Sequence, residues 1–494
     1  MDPVLGTNLV WIIALLVHAA VCITALIIIP RRRKPTAAMA WLLAIIFLPY
    51  IGVILYLVIG SAKLPKRRRE EQTRITGLIA ERAVGLDLAP NRAAWPQWFA
   101  NLTTQNEVLG GIPVVGGNTA TLIGDYTGSV DAMAREIDTA ERFVHVEFFI
   151  VSLDETTRGF FTAMENAVKR GVTVRLLADH ISSKKVAKSA ETFAELDRIG
   201  VEWSWMLPVM PFQGKYQRPD LRNHRKLVVV DGRVGFMGSQ NLIDRSYNSP
   251  KNIKRGLQWQ ELVTRVEGPV VTAINAVFLS DWLSETGVLL PVDDENAHVP
   301  AFRVVLDTSP GALECQVVPS GPGYETENNL RLFLSLLYAA EKRAIITSPY
   351  FVPDEAMMYA ITSACQRGLD VQLFVSEIGD QGPVFHAQRS YYRDLLDVGV
   401  RIFRYPAPYI LHAKHLSIDD DLAVIGSSNL DIRSFSLNFE ISLLVRGTEF
   451  VDRMREVEDG YRSISSELTL EEWLREPLSS TALDGVARLT SALE

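Results

Sequence analysis

Asn223-His224-Arg225-Lys226-Leu227-Val228-Val229-Val230-Asp231 and Leu411-His412-Ala413-Lys414-His415-Leu416-Ser417-Ile418-Asp419 are two copies of one pattern, His-x-Lys-x4-Asp. The first continues to Gly238-Ser239-Gln240-Asn241 and the second to Gly426-Ser427-Ser428-Asn429, with the same His-to-Asn spacing of 17. One such match is weak. Two, each followed by Gly-Ser-x-Asn at identical spacing, exceed what composition produces by chance. Core histidines on a duplicated scaffold are the bland alternative, and so close a repetition makes it the weaker one. The runs are β-rich, so His and Lys, two residues apart, are expected on the same face of a strand. Asp231-Gly232 reads as a hairpin turn. The returning strand, 234–237 or 422–425, then delivers Ser and Asn to the same end. Asp231 and Asp419 have the opposite parity to the histidines and read as structural anchors.

The surrounding chain repeats as well. Residues 142–151 read as a buried strand, 157–170 as a helix closed by Gly171, and 172–178 as a strand. Residues 343–351, 354–367 (closed by Gly368) and 369–376 repeat that order. Alternating strands and helices indicate an α/β fold. Two similar halves are expected, 116–300 and 301–494, joined near 290–311 and preceded by a connector at 71–115. A repeat this long is a duplicated domain, not a solenoid.

Composition and charge narrow the class. The 494 residues are 48% hydrophobic and 22% charged, which excludes a disordered chain. Cys22, Cys315 and Cys365 show no paired spacing, so neither a zinc site nor a disulfide framework is expected. Residues 1–70 hold nine Lys/Arg against two Asp/Glu, whereas the whole chain is −8, leaving −15 on residues 71–494. An acidic body argues against a nucleic-acid partner. Residues 9–29 and 37–59 lack Asp, Glu, Lys and Arg, and roughly 20 apolar residues span a bilayer core. Two membrane segments with a cytoplasmic body are the favoured reading. Basic clusters at 31–34 and 63–69 follow the two stretches, and basic clusters prefer the cytoplasm. Pro49 and Gly52 let the second stretch turn back on itself, which leaves one span plus a re-entrant segment as the alternative.

The residues in the doubled pattern suit phosphodiester exchange. A neutral imidazole can attack phosphorus. A second histidine, protonated, can give its proton to the leaving alkoxide. Lys226, Lys414, Asn241 and Asn429 can clamp the non-bridging oxygens, and four such donors remove the need for a metal. Each histidine also needs its other ring nitrogen held. Glu440, 28 residues after His412, and Glu261, 37 after His224, are the candidate orienting carboxylates. Ser239 and Ser427 complete the candidate set. No nucleotide-binding loop occurs, and no cofactor is expected. His145 and His180 read as packing or hydrogen-bonding residues, His415 as facing away, and His298 as lying in the joint. Tyr391-Tyr392 with Arg389 and Arg393 read either as a lipid-contacting helix or as an ordinary amphipathic one. Arg222 and Arg225 either contact headgroups or brace the sheet.

These features resemble the phospholipase D superfamily, and more closely its bacterial cardiolipin synthases. Beyond the doubled motif, the resemblance rests on Ala40-Trp41-Leu42-Leu43, Leu48-Pro49 and Gly60 in the N-terminal region. It rests also on Val318-Pro319-Ser320-Gly321-Pro322, on Thr347-Ser348-Pro349-Tyr350-Phe351, and on Asp431 through Glu440. Two departures occur: Ser239 replaces a more usual Gly, and Glu261 stands where Asp is common. The resemblance implies two α/β sandwich halves sharing one active site at their interface. It implies His224, Lys226, Asp231, His412, Lys414 and Asp419 as the catalytic set, His224 as nucleophile and His412 as acid/base. The implied substrate is phosphatidylglycerol, two molecules giving cardiolipin and glycerol in the cell membrane, with room for a homo-oligomer. A membrane-anchored phospholipase D using water is the nearest rival. A nuclease and a non-enzymatic scaffold are more distant ones.

Overall fold

The computed structural model describes residues 3–31, 35–60, 89–213, 215–290, 312–324 and 326–489, with isolated positions between 64 and 77. The joint beyond residue 290, His298, and Arg32 to Lys34, Lys63, Lys66 and Arg67 of the basic clusters lie outside the described residues. The chain divides into two compact units. One holds residues 1–64 with 218–220, and the other holds 65–217 and 221–494.

In the first unit, Pro3–Ile28 is one helix whose stretch Trp11–Ile28 has a mean hydropathy of 2.6. Among the described residues it is the one helix long and apolar enough to cross a membrane. The second apolar stretch differs from the continuous span favoured by its hydropathy. It forms two helices, Pro35–Phe47 and Pro49–Ile59. Pro49 cannot donate a backbone hydrogen bond, and the residue before it, Leu48, leaves the helical region at φ −131°. The two helices fold back on each other. Trp41 and Tyr56 meet edge to face with centroids 5.5 Å apart. In one straight helix a fifteen-residue separation would hold them about 22 Å apart. A Cβ at Gly52 would lie 2.6 Å from the Ala44 carbonyl, so only glycine permits the turn-back this close.

The second unit is built on one continuous mixed sheet. The first half supplies β1 (Val115–Ile123), β2 (Phe143–Phe148), β3 (Thr173–Asp179), β4 (Glu202–Met206), β5 (Leu227–Val230), β6 (Val234–Gly238) and β7 (Val263–Glu267). The second half supplies β8 (Leu313–Ser320), β9 (Arg343–Thr347), β10 (Asp370–Ser376), β11 (Arg401–Tyr405), β12 (His415–Ile418), β13 (Leu422–Gly426) and β14 (Asn438–Arg446). The strand order is β11-β10-β9-β12-β13-β14-β8-β1-β7-β6-β5-β2-β3-β4. Read outward from the antiparallel β8–β1 seam, where Val115 faces Cys315, the seven strands of each half have the same order, and the second half adds a short edge strand, Ser466–Leu468, beyond β11. The duplication seen in sequence is therefore a two-fold repeat closed edge to edge.

Alternation along each strand separates the faces. Val144, Val146 and Phe148 pack on Phe160, Met164 and Ala167 of the helix Arg158–Lys169. His145 points the other way, where its Nδ1 lies 2.7 Å from Asn275 Oδ1 and its ring stacks on Phe278. His145 is thus a core residue, as its sequence position indicates, and burial lowers its pKa to about 3. Part of the segment read as a connector is more than that. The helix Gln97–Gly110 places Phe99 and Leu102 in the core of the second half, among Phe333 and Leu336. Trp95 Nε1 donates to Glu314 at 2.7 Å on β8. Tyr391 and Tyr392 are 5% and 2% exposed, so they are core residues and not a lipid-facing surface.

Candidate active site

Each motif histidine sits on an extended segment just before its strand, not on the strand itself, because β5 begins at Leu227 and β12 at His415. What holds these segments is the other half. Arg222–Asn223 runs parallel to Asn438–Phe439, and Gln258–Gln260 runs parallel to Tyr409–Leu411. The backbone N–H of His224 donates to the Phe439 carbonyl at 2.8 Å, and that of His412 donates to the Gln260 carbonyl at 2.7 Å.

This cross-pairing exchanges the carboxylates. His224 Nδ1 lies 3.0 Å from both Glu440 oxygens, and His412 Nδ1 lies 2.8 and 2.9 Å from those of Glu261. The carboxylate nearer in sequence to each histidine is not its partner; each takes the one from the opposite half. With Nδ1–H given to a carboxylate, Nε2 of each ring keeps its lone pair. The serines stand behind the carboxylates. Ser427 Oγ donates to Glu440 Oε2 at 2.5 Å and accepts from the Ile441 N–H at 3.0 Å. Ser239 Oγ accepts from the Leu262 N–H at 2.9 Å. Both therefore orient the carboxylate loops.

The floor of the site is buried. His224, Lys226, His412 and Lys414 are all at most 6% exposed. Lys414 Nζ donates to the His412 carbonyl at 2.6 Å, and Lys226 Nζ donates likewise to that of His224. Burial pulls both imidazoles down to about 4, against the opposing pull of their carboxylates. Each histidine also feels the lysine of the other half, so the four groups share one electrostatic environment. Burial lowers Lys226 to about 7 and Lys414 to about 8. Burial works to raise Glu261 and Glu440, but the facing histidine and lysine outweigh it and both sit below their ordinary value. Two cations crowded into a dry site are what an anionic phosphodiester would relieve.

Asn241 donates from Nδ2 to the Tyr247 hydroxyl at 2.8 Å and accepts from the Ile150 N–H at 3.2 Å. Among the described residues Asn429 Oδ1 is buried with no hydrogen-bond partner, an unmet polar group beside the motif. Asp231 and Asp419 are not brought to the histidines. Asp231 accepts from the N–H groups of Glu141, Arg142 and Phe143 at 2.8 to 2.9 Å. Asp419 does the same for Glu341, Lys342 and Arg343 at 2.7 to 3.0 Å. These are the entry ends of β2 and β9, whereas the site lies at their exit ends. Asp231 (φ 53°) and Gly232 (φ 68°) form the expected primed hairpin turn. Arg222 binds Asp179, and Arg225 binds the buried Asp281 and the Glu440 carbonyl, so both brace the sheet. His415 faces Thr347 and Glu458, and His180 accepts from the Val209 N–H.

The half-buried rim carries aromatic residues that the sequence pattern did not mark. Phe149 packs edge-on against His224 at 4.9 Å, while Tyr247 and Tyr350 approach His412 at 6.3 and 6.2 Å. Phe149 directly follows β2 and Tyr350 lies three residues beyond β9, and exit-end residues of the duplicated strands are the signal that could have found them.

Comparison with known proteins agrees with this geometry. Residues 133–282 and 333–459 match the family described as cardiolipin synthase, phospholipase D-like domain. Residues 20–61 match a phospholipase D-nuclease N-terminal family. The chain is 33% identical to cardiolipin synthase A of Yersinia pseudotuberculosis, with 91% of each chain covered. It is 30% identical to cardiolipin synthase A of Proteus mirabilis, with 94% of each covered. The solved phosphatidylserine synthase of Haemophilus influenzae has the same fold, with a TM-score of 0.59 at 15% identity over 81% of this chain and 99% of that one. Two matched repeats, relatives of this identity over nearly the whole chain and the crossed histidine pairs lead to one conclusion: the chain belongs to the cardiolipin synthases of the phospholipase D superfamily.

Proposed function

We propose that this enzyme transfers a phosphatidyl group between two phosphatidylglycerol molecules, giving cardiolipin and releasing glycerol. The observation that carries this reading is the crossed pair, His224 with Glu440 and His412 with Glu261. Two equivalent imidazoles, each fixed at Nδ1 with Nε2 available, can divide the roles of nucleophile and acid/base. In the first step His224 Nε2 forms a bond to phosphorus and the bond to the glycerol oxygen breaks. His412 gives its proton to that oxygen. In the second step the headgroup hydroxyl of another phosphatidylglycerol gives its proton to His412 and attacks phosphorus, and the phosphorus–nitrogen bond breaks. The anionic phosphodiester raises the proton affinity of the imidazole beside it, which lets His412 hold a proton that the empty site disfavours. Lys226, Lys414 and Asn429 bind the non-bridging oxygens, where charge collects. One phosphodiester replaces another, so no external energy source is needed.

The test is a product assay in liposomes of labelled phosphatidylglycerol, with chelator present, beside His224→Ala and His412→Ala. Cardiolipin plus glycerol from the wild type alone supports the proposal. Phosphatidic acid without cardiolipin would make the enzyme a hydrolase.

We infer further that the N-terminal region crosses the membrane once and re-enters it as a hairpin. Helices of 13 and 11 residues reach only about 20 and 17 Å, short of the roughly 30 Å hydrocarbon core. A hairpin returns its ends to one side, so the basic clusters at 31–34 and 63–69 share the cytoplasmic side, as Lys and Arg prefer. Cysteines placed at 31–34 should label from the cytoplasm alone; labelling from outside would reject this topology.

A further inference from the structure

The two halves are nearly symmetric, but the rims beside their histidines are not. Val151 bridges Leu242, and Phe351 pairs with Leu430 in the same parallel sense. These pairs align Phe149-Ile150 of the first half with Pro349-Tyr350 of the second. Beside His224 the rim is a hydrocarbon ring. Beside His412 it carries a polar chain. The Tyr350 hydroxyl donates to Asp380 Oδ2 at 2.9 Å and accepts from Gln381 Nε2 at 3.1 Å. Tyr350 and Asp380 are half-buried and Gln381 is exposed, so the chain runs from beside the His412 ring out to solvent. Arg255 Nη2 donates to the Gly379 carbonyl at 2.9 Å and so ties this loop to the first half. None of these groups has a part in the phosphoryl chemistry.

We propose that Tyr350, Asp380 and Gln381 form a diol-binding subsite that receives the free hydroxyls of the glycerol headgroup on the His412 side. The inference rests on the reading of His412 as the acid/base. The alcohol that leaves, and the alcohol that enters, must place one oxygen within reach of that imidazole. A glycerol headgroup then has a neighbouring hydroxyl to satisfy, which water and monohydric alcohols lack. A carboxylate accepts from such a hydroxyl, and the tyrosine hydroxyl and glutamine amide can each donate or accept. A site that hydrogen-bonds a hydroxyl discriminates against a ligand without one, because that ligand forfeits the bonds to the spare acceptor and donor positions of this chain. Selection of a polyol over water is what makes such an enzyme a synthase and not a hydrolase.

The test uses the full-length protein in cardiolipin vesicles, with labelled glycerol or labelled ethanol as acceptor. The readout is the ratio of labelled phosphatidylglycerol to labelled phosphatidylethanol formed at equal acceptor concentration, since cardiolipin cleavage also releases unlabelled phosphatidylglycerol with either acceptor. The wild type should favour glycerol. Asp380→Asn and Tyr350→Phe should each lower the ratio about tenfold or more, and Asp380→Glu should restore part of it. Gln381→Leu, at an exposed position that tolerates change, should lower it less and guards against misfolding of the other variants. A ratio within twofold of wild type in Asp380→Asn, Tyr350→Phe and Gln381→Leu alike, including the case where both products fall together, overturns the subsite. If neither alcohol accepts a phosphatidyl group and phosphatidic acid accumulates in the wild type, the parent reading fails and takes the subsite with it.

Discussion

His224 Nδ1 lies 3.0 Å from both carboxylate oxygens of Glu440, a residue 216 positions further along the chain and in the other half of the sheet. His412 takes Glu261 in return. Neither half supplies the carboxylate for its own motif histidine. The site exists only when the halves close along the β8–β1 seam, which ties catalysis to the docking of the two repeats.

Glu440→Gln keeps the shape of the contact but can present an N–H to Nδ1, which favours the wrong tautomer. A triad aspartate changed to its amide elsewhere costs about 10⁴ in kcat. We expect kcat to fall by about 10² to 10⁴ for Glu440→Gln, with KM changed far less. With His224 as nucleophile, Glu440→Gln should also abolish the trapped phosphoenzyme formed from labelled substrate. Rapid quench and gel autoradiography test this; undiminished phosphoenzyme would make His412 the nucleophile.

The pH profile of kcat/KM reports the free enzyme. Both imidazoles titrate at about 4, so protonation there removes the nucleophile and sets the acid limb. Lys226 at about 7 and Lys414 at about 8 lose their charge as pH rises, so phosphate binding weakens and sets the basic limb. Because the chemistry needs one bare and one protonated imidazole, kcat/KM should be highest near the shared imidazole value, decline above it, and fall more steeply once the lysines discharge. In Lys226→Arg the guanidinium stays charged, and the basic limb should move upward whatever the absolute rate. A limb that stays in place would remove Lys226 from phosphate binding.

Asp231 and Asp419 each accept three backbone N–H groups at a strand entry. Asp231→Asn loses the charge-assisted part of these bonds and should destabilise the fold by about 1–3 kcal/mol. Thermal unfolding in detergent should show a lowered Tm, while kcat per folded molecule stays within about threefold of wild type. A collapse of kcat without a Tm shift would return Asp231 to the chemistry.

Gly238 and Gly426 precede the motif serines and touch the strand beside them. A Cβ at Gly426 would lie 2.2 Å from the Ile441 carbonyl, and one at Gly238 would lie 2.4 Å from that of Leu262. Both neighbours are backbone, so a strand must move. Gly426→Ala should cost about 1–3 kcal/mol and lower kcat at least tenfold, because the shift carries Ser427 and Glu440 away from His224. Activity at the wild-type level in a folded Gly426→Ala protein would mean that this packing does not position the carboxylate.

The sequence determined the chemistry, the duplication and the α/β class. Those readings rest on residue identity and spacing, which survive without coordinates: the equal spacing from His224 to Asn241 and from His412 to Asn429 already pairs the halves. It also separated His412 from His415 and the strand-anchoring aspartates from the paired histidines, because parity is a local property of an extended chain. Two things were decided by tertiary structure alone. Pro49 and Gly52 left both a span and a turn-back open for residues 37–59, and the packing of Gly52 on Ala44 across the break at Pro49 decides for the hairpin. Glu261 and Glu440 were found as carboxylates, but each belongs to the distant histidine. Chain separation measures only what can meet by local folding. The exchange arises because Arg222–Asn223 and Tyr409–Leu411 each complete the opposite half, a pairing of backbone edges that no one-dimensional spacing encodes.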